Sequence, residues 1–255
     1  MLGAIVGDII GSIHEGSGMK DKSFPLFDQF CRFTDDSVLT AAVANKLLEG
    51  GEYVDAFHDF FHKYPQAGYG MSFIRWAGNR VRVPYNSWGN GSAMRVTPIA
   101  WAFPTLVEVL EEAENSAVPT HNHPEGVRGA QAVAAAVFLA RHKCDKEEIQ
   151  RTLEERFGYC LHQRLDDIRP DYRYDETCAG SVPQSIIAFL ESTSFEDAIR
   201  NAVSLGGDAD TMACIAGGIA EAFYGGVPAE ISEKALEFLE PPLTKIVKEF
   251  ASQFQ

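Results

Sequence analysis

No two cysteines in this sequence form a CxxC pair, and the five present, Cys31, Cys144, Cys160, Cys178 and Cys214, are odd in number and widely separated. Such spacing argues against a disulfide framework and against a cysteine-based zinc motif, and a reducing cytoplasm is the compartment it fits. Positive charge is scarce too: 22 Lys and Arg stand against 36 Asp and Glu, for a net charge of -14 and a pI near 4.9. Sequence-independent nucleic-acid binding rests on cations that neutralise phosphates, so no nucleic-acid partner is expected. Long apolar runs are missing as well. The opening "MLGAIVGDIIG" lacks a basic leader region and carries Asp8 inside its apolar part, which is wrong for a signal peptide. Residues 212 to 227 contain Glu221 and fall short of the roughly 20 apolar residues that span a bilayer. No membrane partner is expected.

Alternating β-rich runs are nearly absent, whereas apolar residues recur at helical spacing along most of the chain. In "DDSVLTAAVANKLLEGG" acidic residues open the segment, Val38, Ala41, Ala42, Leu47 and Leu48 follow a 3.6-residue period, and Gly50-Gly51 closes it. The same logic predicts helices over 54–64, 104–116, 124–143, 145–157, 181–192, 194–205, 229–239 and 241–252. The expected fold is all-α. With 255 residues, 45% of them hydrophobic, the chain can bury a full core, and the absence of a repeat or low-complexity linker predicts one domain over 1–255.

Two segments place glycine where helices ordinarily avoid it. Gly3, Gly7 and Gly11 recur every four residues, as do Gly217, Glu221 and Gly225. Each stripe is nearly bare, which predicts two helices whose backbones pack closely and bring their ends together.

At such ends the sequence concentrates hard oxygen ligands. "FTDDS" (33–37) and "GGDADT" (206–211) each set two carboxylates and a threonine hydroxyl at a predicted helix N-terminus. One such motif alone reads as an N-cap. Two together read otherwise, because four aspartates in one place repel unless cations lie between them, and an all-oxygen set suits Mg²⁺ or Mn²⁺. In "YNSWGNGSAMR" (85–95) backbone N–H groups around Asn90 could converge on an anion, Ser92 could cap a following helix, and Tyr85 or Trp88 could stack on a base or pack in the core. "HDFFH" spaces His58 and His62 like a zinc protease pair but lacks its glutamate, so packing is expected. In "THNHPEG" (120–126), His121 or His123 could cap a helix, face solvent or touch a phosphate.

Taken in order, "GDIIG" followed by Glu15, then "TDDS", "GNGSAMR", "TH", "SVPQSI" and "GGDADTMACIAGGIAEAFYG" resemble the ADP-ribosylglycohydrolase family, over residues 3 to 226. The resemblance implies a compact orthogonal multi-helix bundle with two divalent cations, Mg²⁺ or Mn²⁺, at the bottom of a cleft. It implies Thr34, Asp35, Asp36, Asp208, Asp210 and Thr211 as ligands, with Asp210 bridging. Glu15 matches the family glutamate, and Glu15 and Asp36 are the expected catalytic carboxylates. Ser87, Trp88, Gly89, Asn90, Gly91, Ser92, Met94 and His121 are implied to contact ADP-ribose. Asp8 is expected to support helix packing. The implied activity is hydrolysis of the bond between ADP-ribose and a protein side chain or small acceptor. Two alternatives accompany it: a non-catalytic, crystallin-like ADP-ribose binder, and a magnesium-dependent hydrolase of another nucleotide. The chain is shorter than the better-known members, so the acceptor does not follow from the resemblance.

Overall fold

A computed structural model describes residues Met1–Gln255. It contains fifteen helical segments: α1 (Leu2–Gly11), α2 (Asp35–Glu49), α3 (Tyr53–Lys63), α4 (Met71–Gly78), α5 (Gly91–Met94), α6 (Thr97–Ala102), α7 (Leu106–Ala117), α8 (Pro124–Arg141), α9 (Lys146–Phe157), α10 (Leu165–Ile168), α11 (Cys178–Leu190), α12 (Phe195–Val203), α13 (Ala209–Tyr224), α14 (Ala229–Leu236) and α15 (Pro241–Phe254). The fold is all-α. The sole β-type pairing is an isolated bridge between Gly89 and Thr177. No helix is long and apolar enough to cross a membrane.

Every helix expected from periodicity forms, with shifted ends. One three-residue shift has a local cause. α11 starts at Cys178, not 181, because Thr177 caps it and accepts from the Gly180 N–H at 3.0 Å. Pro183 then lies inside the helix and forgoes one backbone bond. α4, α6 and α10 are too short to carry a periodic signal.

The two glycine-bearing helices, α1 and α13, run antiparallel at the centre. A Cβ on Gly3 would lie 2.4 Å from the Gly217 carbonyl oxygen, one on Gly7 2.0 Å from that of Ala213, and one on Gly11 2.5 Å from that of Ala209. The face of α13 that meets α1 is therefore Ala209, Ala213 and Gly217, continued by Glu221. Gly225 does not extend it; this residue is the left-handed C-cap of α13 and touches nothing. Glu221 serves the pair differently, accepting from the N–H groups of Leu2 (3.2 Å) and Gly3 (2.8 Å) at the start of α1. Because the helices are antiparallel, the C-terminus of α1 meets the N-terminus of α13. Glu15 follows the first, and Asp208 and Asp210 open the second.

This close approach is testable. Gly7→Ala would drive a methyl into backbone that cannot rotate away, so denaturant unfolding should show a loss at or above the usual overpacking range of about 1–3 kcal/mol. Unchanged stability would mean that the two helices do not pack backbone to backbone.

Candidate active site

Asp8, on α1, ties the start of α2 to the same corner. Its carboxylate accepts from the N–H groups of Thr34 (2.9 Å) and Ser37 (3.1 Å), from the Thr34 hydroxyl (2.6 Å) and from the Ser37 hydroxyl. Thr34 is at the same time the N-cap of α2. Three helix ends thus bring their acidic residues together in two overlapping groups. Asp8, Asp36 and Asp210 place carboxylate oxygens within 4.8 Å of one another, and so do Glu15, Asp208 and Asp210. Asp210 belongs to both.

Water is largely excluded from this floor: Asp8, Asp36, Asp208 and Asp210 are all at most 5% exposed. Burial first, and repulsion from Asp210 second, push the carboxyls of Asp35, Asp36 and Asp208 well above the usual range and that of Asp8 up to about 7. For Glu15 the order reverses, with Asp210 ahead of burial. The Asn90 amide donates to Asp208 Oδ2 at 2.8 Å. Thr34 and Thr211 hydroxyls lie 3.3 and 3.4 Å from Asp36 Oδ2, while Asp36 Oδ1 is buried without a partner. An unpartnered acceptor among buried carboxylates and threonine hydroxyls fits a hard divalent cation. The Asp8 oxygens already take four hydrogen bonds from the start of α2.

The floor closes a cleft of about 620 Å³, a size suited to a ligand of nucleotide dimensions. Glu15, Thr34, Asp35, Asp36, Ser87, Gly89, Asn90, Gly91, Met94, His121, Asp208, Asp210 and Thr211 all line it. Trp88 and Ser92 do not. Trp88 is 54% exposed and stands edge-on to His123; Ser92 is buried, its hydroxyl donating to the Gly126 carbonyl at 2.7 Å rather than capping α5. Alternation along the loop turns Tyr85 and Ser87 inward and Trp88 outward. The loop's N–H groups are also less available to an anion than its glycines suggest, since Gly89 N–H donates to Ser87 Oγ (3.1 Å) and Asn90 N–H to the Glu176 carbonyl (2.8 Å).

The two histidine segments resolve differently. His123 caps α8, accepting from the Glu125 N–H at 3.1 Å, whereas His121 is buried in the cleft wall. His58 packs on Trp76, with ring centroids 4.3 Å apart, and His62 bonds back to the His58 carbonyl; neither joins a metal-sized cluster.

Sequence reasoning missed several lining residues. Tyr69 and Phe73, stacked at 5.1 Å, form one wall, and Tyr174 sets its hydroxyl 3.4 Å from Glu15 Oε1. Gly68 and Gly70 around Tyr69 were the only local signal. Arg95, at the end of the GNG motif, is fully buried and lines the cleft.

The raised carboxyls give a pH prediction with a definite sign. In the metal-free protein these groups hold protons that the unfolded chain, with aspartate near 3.9, has released. Their contribution to stability is therefore complete below about pH 4 and lost as pH rises through the raised range of the folded protein, about 7 for Asp8. A cation needs the ionised carboxylates, so Mg²⁺ should raise the melting temperature more at pH 7.5 than at pH 5. Calorimetric scans with Mg²⁺ and with chelator would refute this by showing equal gains, or none.

The chain matches the family model described as ADP-ribosylglycohydrolase over residues 1–255. It is 27% identical to ADP-ribosylhydrolase ARH3 of Xenopus tropicalis, over 88% of this chain and 86% of the relative. The ADP-ribosylarginine hydrolase Tri1 of Pseudomonas putida is 28% identical over 79% of this chain and 62% of its own length. A solved structure titled "ADP-ribosylglycohydrolase-related protein complex" superposes with a TM-score of 0.64 at 25% identity, covering 93% of this chain and 95% of that one.

Proposed function

The chain belongs to the ADP-ribosylglycohydrolase family, and from that premise we propose that it hydrolyses the glycosidic bond joining ADP-ribose to an acceptor, a modified protein side chain or a small conjugate. The observation that carries this reading is the carboxylate floor shared through Asp210 beneath a nucleotide-sized cleft. The motif residues His121, Asn90 and Ser87 support it by lining the same cleft.

Thr34, Asp35, Asp36, Asp208, Asp210 and Thr211 would hold two divalent cations, Mg²⁺ or Mn²⁺. When bound, these supply Lewis-acid polarisation of ribose and water oxygens. The protein's own groups do the rest. Asn90 holds Asp208 in orientation through its 2.8 Å bond. Glu15, at the cleft floor beside Asp208 and Asp210, takes the proton of the attacking water. Cleavage builds positive charge on the anomeric carbon, which Asp36 stabilises electrostatically. Tyr85, Tyr69 and Phe73 offer the aromatic surface for the adenine, and His121 a hydrogen bond to the ligand.

The direct test is incubation of the purified protein with arginine-linked, serine-linked and O-acetyl ADP-ribose substrates, with Mg²⁺ and then with chelator. Release of ADP-ribose that chelator suppresses is expected from at least one. Tight ADP-ribose binding with no release from any substrate would instead favour a non-catalytic binder, and metal-dependent turnover of other nucleotides alone would place the chemistry elsewhere.

A further inference from the structure

A buried chain of hydrogen bonds runs behind the GNG loop and ends on His121. Arg95 is fully buried with its guanidinium 4.1 Å from the Phe57 ring centroid, and no carboxylate pairs with it. Its Nη2 donates to the Ser116 carbonyl and to Thr120 Oγ1, both at 2.8 Å, while Nε and Nη1 have no partner. Thr120 Oγ1 lies 2.7 Å from His121 Nδ1. The opposite ring nitrogen, Nε2, sits against the GNG turn, where a Cβ on Gly91 would come within 3.1 Å of it.

The chemistry of the donors decides where the ring proton resides. A guanidinium has donors and no acceptor, so the Thr120 oxygen accepts from Arg95. Burial, reinforced by the Arg95 charge, pulls the His121 ring well below its ordinary range, which leaves it neutral with one N–H. Either the Thr120 hydroxyl donates to Nδ1 and the proton resides on Nε2, or Nδ1–H donates to Thr120 and the hydroxyl turns toward the facing Tyr85. Arg95 favours the first. By withdrawing charge from the Thr120 oxygen it makes that hydroxyl a better donor and a poorer acceptor, and the first arrangement also turns the Nδ1 lone pair, not an N–H, toward the cation.

We propose that Arg95 and Thr120 are positioning residues that hold His121 as an Nε2–H donor facing the cleft, so that the ligand atom it meets must be a hydrogen-bond acceptor. The identity of that acceptor, an oxygen of ADP-ribose, rests on the proposed function; the tautomer does not.

Histidine ¹⁵N spectra of the ligand-free protein at neutral pH test the assignment, with His121→Gln identifying the resonances. A bare Nδ1 and a protonated Nε2 are expected in the wild type and in Thr120→Ser. Thr120→Val should lose that preference and weaken ADP-ribose binding by roughly 2- to 12-fold, the range of one net hydrogen bond, with Thr120→Ser close to wild type. A protonated Nδ1 in the wild type, or an unchanged tautomer in Thr120→Val, would overturn the proposal. Arg95→Met, if it folds, should shift the same equilibrium. A protonated Nε2 in a protein with no ADP-ribose affinity would uphold the tautomer and remove the ADP-ribose reading.

Discussion

Asp210→Ala is expected to abolish Mg²⁺ binding and to bring turnover down to the uncatalysed background, while leaving the metal-free fold no less stable at neutral pH. The two halves of that result have one cause. Asp210 is the carboxylate common to both acidic clusters, so its loss removes a ligand from each of two proposed cation sites. It is also the neighbouring charge that most raises the carboxyls of Asp35, Asp36, Asp208 and Glu15. Removing it relieves repulsion among buried groups that no cation then compensates. Titration calorimetry with Mg²⁺, melting with chelator and single-turnover assays read the three consequences separately. Retained Mg²⁺ binding would show that Asp210 bridges nothing, and a large loss of chelated stability would make it a structural residue of the α13 start.

Glu15→Gln should fail in a different way. Glu15 lies beyond the C-terminus of α1, exposed to the cleft, with the Tyr174 hydroxyl near it and Asp208 and Asp210 on its inner side. The amide preserves size and removes the base. Turnover should fall by on the order of 10²–10⁴, the usual span for a general base, with ADP-ribose and metal affinity largely kept. In the wild type the pH profile of turnover should decline on the acid side as Glu15 becomes protonated, and Glu15→Gln should remove that limb. If Glu15→Gln turns over normally, the base lies among Asp35, Asp36 and Asp208. If it instead loses Mg²⁺, Glu15 is a ligand of the second cluster.

The fold was legible because helices announce themselves locally. Val38, Ala41 and Ala42 predict the buried face of α2 from spacing alone, and Gly3, Gly7 and Gly11 predict a helix that admits another backbone. The partner stripe was only partly legible, since Ala209 and Ala213 do with a methyl group, on the facing helix, what glycine does on α1. Gly225, at the right interval, falls past the last turn.

Within the site, the aspartates and threonines of the two helix-entry motifs could be named from the sequence, because a helix N-terminus fixes the direction of its first side chains whatever the rest of the chain does. Which neighbours join them could not. Tyr85 and Trp88 are three residues apart in one loop, and only the pairing of that loop with residues 176 to 178 turns one ring into the cleft and the other into solvent. Tyr174 reaches Glu15 across 159 positions of chain, and Arg95 finds Thr120 across 25. By itself, then, the sequence determined the helices, the bare stripe that lets α1 meet α13, and the acidic residues at their ends. Only the tertiary structure decided which oxygens share a floor, that Asp8 spends its lone pairs on α2, and which aromatic and cationic side chains wall the cleft, because side-chain direction in loops is set by contacts that no local period encodes.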